Sequence, residues 1–109
     1  EGDGTNITLW REINHLAKLI KELDDRPVLT ILAGAGVTKL EGLRDHCPDL
    51  DLVGINAYGG LGGVHERMMK HGPRLPYVIT EFGAIGHWER GKNAWGVELE
   101  QTSTQRGEM

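Results

Sequence analysis

Two strand-like runs in this chain end on residues able to do chemistry. Leu50 to Asn56 is the first, and it is followed by Ala57 and Tyr58. Tyr77 to Thr80 is the second, and it closes with Glu81-Phe82-Gly83. Asn56 and Tyr58 share parity, so if the strand geometry persists both side chains point to one side. Glu81 shares parity with Tyr77 and Ile79. A carboxylate at the end of an apolar strand is costly if it is desolvated and unpaired. A phenol and an amide ending the neighbouring strand are the donors that would hold its charge and orientation. A solvated or ion-paired surface glutamate is the plainer reading. His87, Trp88 and Trp95 follow in a polar, glycine-rich loop. Exposed indoles there can stack on the apolar face of a sugar ring, or they can simply pin the loop to the body.

Other constellations fail on their own terms. Gly34-Ala35-Gly36-Val37-Thr38-Lys39 sits between a strand and a helix, as a dinucleotide-binding turn would. Its third glycine is replaced by Lys39, and no acidic residue follows at the expected distance. A tight strand-to-helix turn accounts for it, with an open-sheet nucleotide binder as the rival. Gly91-Lys92 lacks the rest of a phosphate loop. His65-Glu66 lacks the second histidine of a zinc helix. His15, His46, His65 and His71 fall on helices or helix ends and read as surface or edge residues. Cys47, beside Pro48, reads as a buried helix-end thiol. Asn6-Ile7-Thr8 matches a glycosylation sequon that is too short to weigh. No metal site and no cofactor are expected.

The elements that must position these residues repeat. Leu9, Trp10, Ile13, Leu16, Ala17, Ile20 and Leu23 recur at three- and four-residue steps, which predicts an amphipathic helix over 7–23 with Thr5 or Asn6 as its cap. It stops before Pro27, because the residue preceding proline disfavours helical angles. Val28 to Leu32 is a strand apolar on both faces, as suits a parallel strand covered by helices. A second helix covers 37–46 and ends at Pro48. After Leu50 to Asn56 come a glycine loop at 59–63, a short helix over 64–71 and Gly72-Pro73, then the third strand. Strand starts near Val28, Leu52 and Tyr77 recur at an almost even pitch, each strand followed by glycine (Gly34, Gly59, Gly83). Such alternation implies crossovers and a parallel sheet, either part of a (β/α)8 barrel or an open doubly wound sheet. A full barrel needs about 250 residues, and three strands are visible here. Residues 84–109 read as a long loop, with Thr102-Ser103-Thr104 capping the start of a cut-off helix.

Composition bounds the remaining choices. The chain has 109 residues, enough for one small domain, and sixteen glycines, about twice the usual share. A net charge of −4 argues against a nucleic-acid partner. No run is long and apolar enough for a membrane span, and the polar N-terminus does not resemble a signal peptide, so the compartment stays open. One cysteine excludes an internal disulfide framework.

Pro76-Tyr77-Val78-Ile79-Thr80-Glu81-Phe82-Gly83 resembles the Thr-Glu-Phe-Gly motif of clan A glycoside hydrolases. There the glutamate after the seventh barrel strand is the nucleophile. Val53-Gly54-Ile55-Asn56-Ala57-Tyr58 is similar to the sixth strand of the family 2 branch, whose Asn-x-Tyr tyrosine supports that nucleophile. The Trp88-Glu89 and Trp95-Gly96 pairs, with Gln101-Thr102-Ser103-Thr104, look like those of bacterial family 2-type glycosidases. The resemblance implies an α/β fold of parallel (β/α) repeats, a partial barrel running from the fourth helix to the seventh strand over residues 1–109. It implies retaining hydrolysis of carbohydrate, with Glu81 as nucleophile, Tyr58 supporting it, and Asn56, Trp88 and Trp95 as sugar contacts. The family's acid/base belongs to an Asn-Glu pair ending the fourth strand. This sequence has no such pair, and Glu1 does not inherit the role. The expectation is therefore a hydrolase fragment lacking its acid/base, inactive alone and prone to self-association. A transglycosylase of the same clan and a non-catalytic carbohydrate-binding or scaffold domain are the alternatives.

Overall fold

Asn6 begins the first helix. Its backbone is extended, and its side chain accepts a hydrogen bond from the Leu9 N–H at 3.1 Å, satisfying a donor that the helix start would leave orphaned. The helix, α1, runs Ile7–Leu23 in the computed structural model, which describes residues 2–86 and 89–108. It is followed by β1 (Leu29–Ala33), α2 (Val37–His46), β2 (Leu52–Tyr58), a 3-10 turn at Leu61–Gly63, α3 (Val64–His71), β3 (Tyr77–Gly83) and a short α4 (Ser103–Gly107). The three strands form one parallel sheet in the order β1-β2-β3, with Leu29 beside Leu52 and Val53 beside Tyr77. The architecture is α/β, a small parallel sheet whose strands alternate with helices. Among the described residues no helix is long and apolar enough to cross a membrane.

One core holds it together. Leu32, Val53, Ile55 and Ala57 from one sheet face meet Trp10 and Ala17 of α1, Leu40 and Leu43 of α2, and Val64 and Met68 of α3. The Trp10 indole N–H donates to the Gly4 carbonyl at 2.8 Å, and its ring lies where a Cβ on Gly42 would come within 2.3 Å of Nε1. Only glycine lets α2 approach the indole that closely. Asn14 and Asp49 exchange two hydrogen bonds of 2.8 Å, tying α1 to the segment entering β2. Asp51 accepts from the Val28 N–H and from Lys21 Nζ, and these contacts hold its carboxyl below the usual aspartate range.

Two expectations are corrected here. The predicted stripe of α1 is wider than the face that packs: Trp10 and Ala17 are buried and Ile13 partly so, while Leu16 and Ile20 are half exposed and Leu23 is 88% exposed. Among the described residues the sheet ends at β1, and no further strand lies beside the outer side of α1. The first strand is likewise covered on one side only. Helices α1, α2 and α3 pack on the Leu32 face, and the opposite face presents Leu29, Ile31 (50% exposed) and Val78 to solvent. Leu29 and Ile31 lean over Gly54, whose Cβ would meet Ile31 Cγ1 at 2.9 Å.

An open apolar sheet face, with β1 and β3 as the outer strands among the described residues, favours association. The chain should therefore self-associate in light scattering, and Ile31→Lys with Val78→Lys should shift it toward monomer. A wild-type chain that stays monodisperse and monomeric would overturn this expectation.

Candidate functional site

The carboxyl ends of β2 and β3 are brought together by an irregularity in their pairing. Ile55 lies beside Ile79, yet Asn56 lies beside Glu81, so Thr80 is an extra residue on β3. Such a bulge re-aims the side chains that follow it. Tyr77 and Ile79 turn toward the helices and pack on the core. Parity would have sent Glu81 the same way. The bulge instead places both Thr80 and Glu81 beside the open-face residues of β2. Thr80 Oγ1 donates to Asn56 Oδ1 at 2.6 Å, and the Tyr58 hydroxyl donates to Glu81 Oε2. Asn56 and Tyr58 do share a face, as their spacing predicts.

The backbone around this pair is shaped to admit it. Gly59 sits at φ +72°, a left-handed turn leaving β2, and its N–H donates to the Gly83 carbonyl at 2.9 Å. A Cβ on Gly59 would strike Ile85 Cγ1 at 2.3 Å. The Tyr58 ring lies against Gly83. Tyr58 is 54% exposed, and its hydroxyl is held protonated above the usual tyrosine range, first by the hydrogen bond to Glu81 and then by partial desolvation. Glu81 is exposed on the open face, so its carboxylate meets solvent and one phenolic donor.

The chain after β3 folds back beside Tyr58. One hollow, of about 290 Å³, lies between Tyr58, Ala84, Gly86 and Glu89. Another, of about 300 Å³, joins Tyr58 to Gly83, Glu100 and Arg106. Arg106 comes from α4, which Thr102 caps through a reciprocal pair of hydrogen bonds with Gln105, in line with the predicted cap. Glu89, Glu100 and Arg106 are site-lining residues that spacing did not reveal. Their positions depend on how the loop returns, and no local pattern encodes that.

The remaining candidates separate from this place. Trp95 is 87% exposed and lines neither hollow. Trp88 and His87 lie outside the described residues. Gly34, at φ +98°, turns the chain from β1 into α2, and Gly36 begins that helix without a side-chain cap. Lys39 Nζ donates back to the Ala33 carbonyl, and Gly4 packs against the Lys39 backbone. His65 pairs with the Tyr77 hydroxyl and His71 with Glu41. No group of three metal-ligating side chains occurs among the described residues. Cys47 is buried, its thiol is pushed up to about 11 by desolvation, and it points at the Trp10 carbonyl.

No protein-family model matches the chain, and no curated protein matches it.

Proposed function

We propose that this chain carries the nucleophile side of a retaining glycoside hydrolase site, within a partial (β/α)8 barrel. The observation that carries the reading is the Tyr58–Glu81 hydrogen bond at the carboxyl ends of adjacent parallel strands, where ligands of such sheets bind. The sequential strand order with α1, α2 and α3 on a single face favours the barrel over a doubly wound sheet, which places helices on both faces.

In this reading Glu81 attacks the anomeric carbon as the glycosidic C–O bond breaks, and the leaving oxygen takes a proton from a second carboxyl group. That group then acts as base. It removes a proton from water, the resulting oxygen attacks the anomeric carbon, and Glu81 is released with the configuration retained. Retention requires the two carboxyl groups about 5–5.5 Å apart. With no Asn-Glu pair in this sequence, the reading places the acid/base on a strand other than β1, β2 and β3. Tyr58 holds Glu81 in position and disperses its charge. Asn56, Trp88 and Trp95 would contact sugar. A carbohydrate-binding or scaffold role without catalysis is the second reading, and the exposed Trp95 indole would serve it equally.

A 2-deoxy-2-fluoro glycoside with an activated leaving group should trap the covalent intermediate on the peptide that contains Glu81. An adduct on another carboxylate would overturn the assignment, and sugar binding without any adduct would favour the non-catalytic reading. With the acid/base strand present, Tyr58→Phe should lower turnover about 10- to 150-fold, the equivalent of a lost hydrogen bond to a charged carboxylate. It should also abolish any loss of activity at high pH that comes from ionising the phenol. An unchanged rate in steady-state kinetics would remove Tyr58 from the site.

A further inference from the structure

Four of the five residues at 59–63 are glycine. Glycine gives up more backbone freedom on ordering than any other residue, so such a loop keeps one shape only where something fixes it. Leu61, its single side chain, packs on the core. Gly59 and Gly60, which lie between Leu61 and Tyr58, are held through their backbones. On the β3 side, the Gly59 N–H donates to the Gly83 carbonyl. On the β1 side, the Arg67 guanidinium reaches back from α3. Its Nη2 donates to the Gly60 carbonyl at 3.1 Å, and its Nε to the Ala35 carbonyl at 3.0 Å. Ala35 follows β1, belongs to the core and is 7% exposed, so one end of this link is firmly seated. A Cβ on Gly63 would come within 2.5 Å of Arg67 Nη1, so glycine there leaves the guanidinium its place.

We infer that Arg67 is a positioning residue of this site: by clamping together the loops that leave β1 and β2, it fixes the end of β2 from which Tyr58 reaches Glu81. A guanidinium suits the place because one rigid charged fork serves two carbonyl acceptors at once. A lysine ammonium on a flexible stem does not hold two acceptors in a fixed geometry. Tyr58 is half exposed, so the backbone behind it sets its aim more than packing does. The inference rests on the Tyr58–Glu81 pair of the proposed function and not on the reaction assigned to it, since a site that binds sugar without catalysis would need the same clamp.

The test reads the Tyr58 phenol directly in the full chain. With Tyr77→Phe in every sample, Tyr58 is the one tyrosine left. Its ionisation is followed by ultraviolet absorbance as the pH is raised, with circular dichroism recorded alongside to follow the fold. The hydrogen bond to Glu81 holds this phenol protonated above the ordinary range, so Glu81→Ala should lower the titration midpoint and give the value of an uncoupled phenol. Arg67→Met, which keeps the stem and removes the fork, should reproduce much of that drop. Arg67→Lys should fall between Arg67→Met and the wild type. Gly63→Ala disturbs the same contact from the other side. Gly63 has φ −96°, which alanine accepts, so the added methyl group should displace the guanidinium without unfolding the loop and should also lower the midpoint. Wild-type midpoints in both Arg67→Met and Gly63→Ala, with Glu81→Ala lowered, would overturn the inference and leave the pair intact. A wild-type midpoint no higher than that of Glu81→Ala would overturn the pair and the clamp with it. Lowered midpoints in the Arg67 variants, in a protein that forms no covalent adduct at Glu81, would support the clamp and remove the hydrolase reading.

Discussion

In a protein that also carries the acid/base strand, Glu81→Gln should lower turnover by about 10⁴-fold or more, the scale seen when a covalent nucleophile is removed from an enzyme, while the melting temperature barely moves. Glutamine keeps the size and shape of glutamate, and its carbonyl oxygen can still accept from the Tyr58 hydroxyl, so the local geometry survives. The carboxylate that must bond to the anomeric carbon is gone. Because Glu81 is exposed rather than buried, its replacement leaves no desolvated charge and no cavity behind. Steady-state kinetics beside a thermal melt separates the two effects. Turnover within a few-fold of wild type would reject Glu81 as nucleophile, whatever the rest of the site does. Glu81→Ala checks the same point: it should match the glutamine variant in rate and additionally free the Tyr58 hydroxyl from its acceptor.

The largest expected effect on stability is at Trp10. Trp10→Ala should cost about 3–5 kcal/mol, as for other buried aromatics. That is a large part of the about 5–15 kcal/mol that holds a typical domain together. The indole is almost fully buried, bonds to the Gly4 carbonyl and fills the space over Gly42 between α1 and α2. Trp10→Phe keeps much of the volume and loses the N–H donor, so about 1 kcal/mol of the cost should remain. Gly42→Ala drives a methyl group into the same ring and should cost about 1–3 kcal/mol alone. In the Trp10→Ala background that methyl group has room, so the two losses should be clearly non-additive in denaturant titrations. Strict additivity would mean that the indole does not rest on Gly42.

Much of the fold was legible because its signals are local. Pro27, Pro48 and Pro73 set the ends of α1, α2 and α3, and Asn6 and Thr102 offer cap oxygens whose N–H donors lie three residues on. The predicted spans 7–23, 37–46 and 64–71 coincide with the three helices. The third strand begins at Tyr77 as predicted, while the first two are shifted by one or two residues: β1 begins at Leu29 rather than Val28, and β2 runs Leu52–Tyr58 rather than from Leu50. Where a strand begins is set by its neighbour's register rather than by its own residues.

The candidate site was legible only as a set of residue types. Sequence alone placed Asn56, Tyr58, Thr80 and Glu81 at the ends of two neighbouring strands, and it put Asn56 and Tyr58 on one face because a strand alternates with period two. By the same rule it sent Glu81 to the face of Tyr77 and Ile79. Only the pairing of β2 with β3 inserts Thr80 as an extra residue and brings Glu81 round to Tyr58, since a bulge is a mismatch between two strands and neither strand encodes it alone. The uncovered Ile31 face, the exposed side of α1, and the return of Arg106 to the hollow beside Tyr58 have the same origin. Apolar periodicity says which residues can be buried, and the neighbours supplied by the tertiary structure decide which of them are.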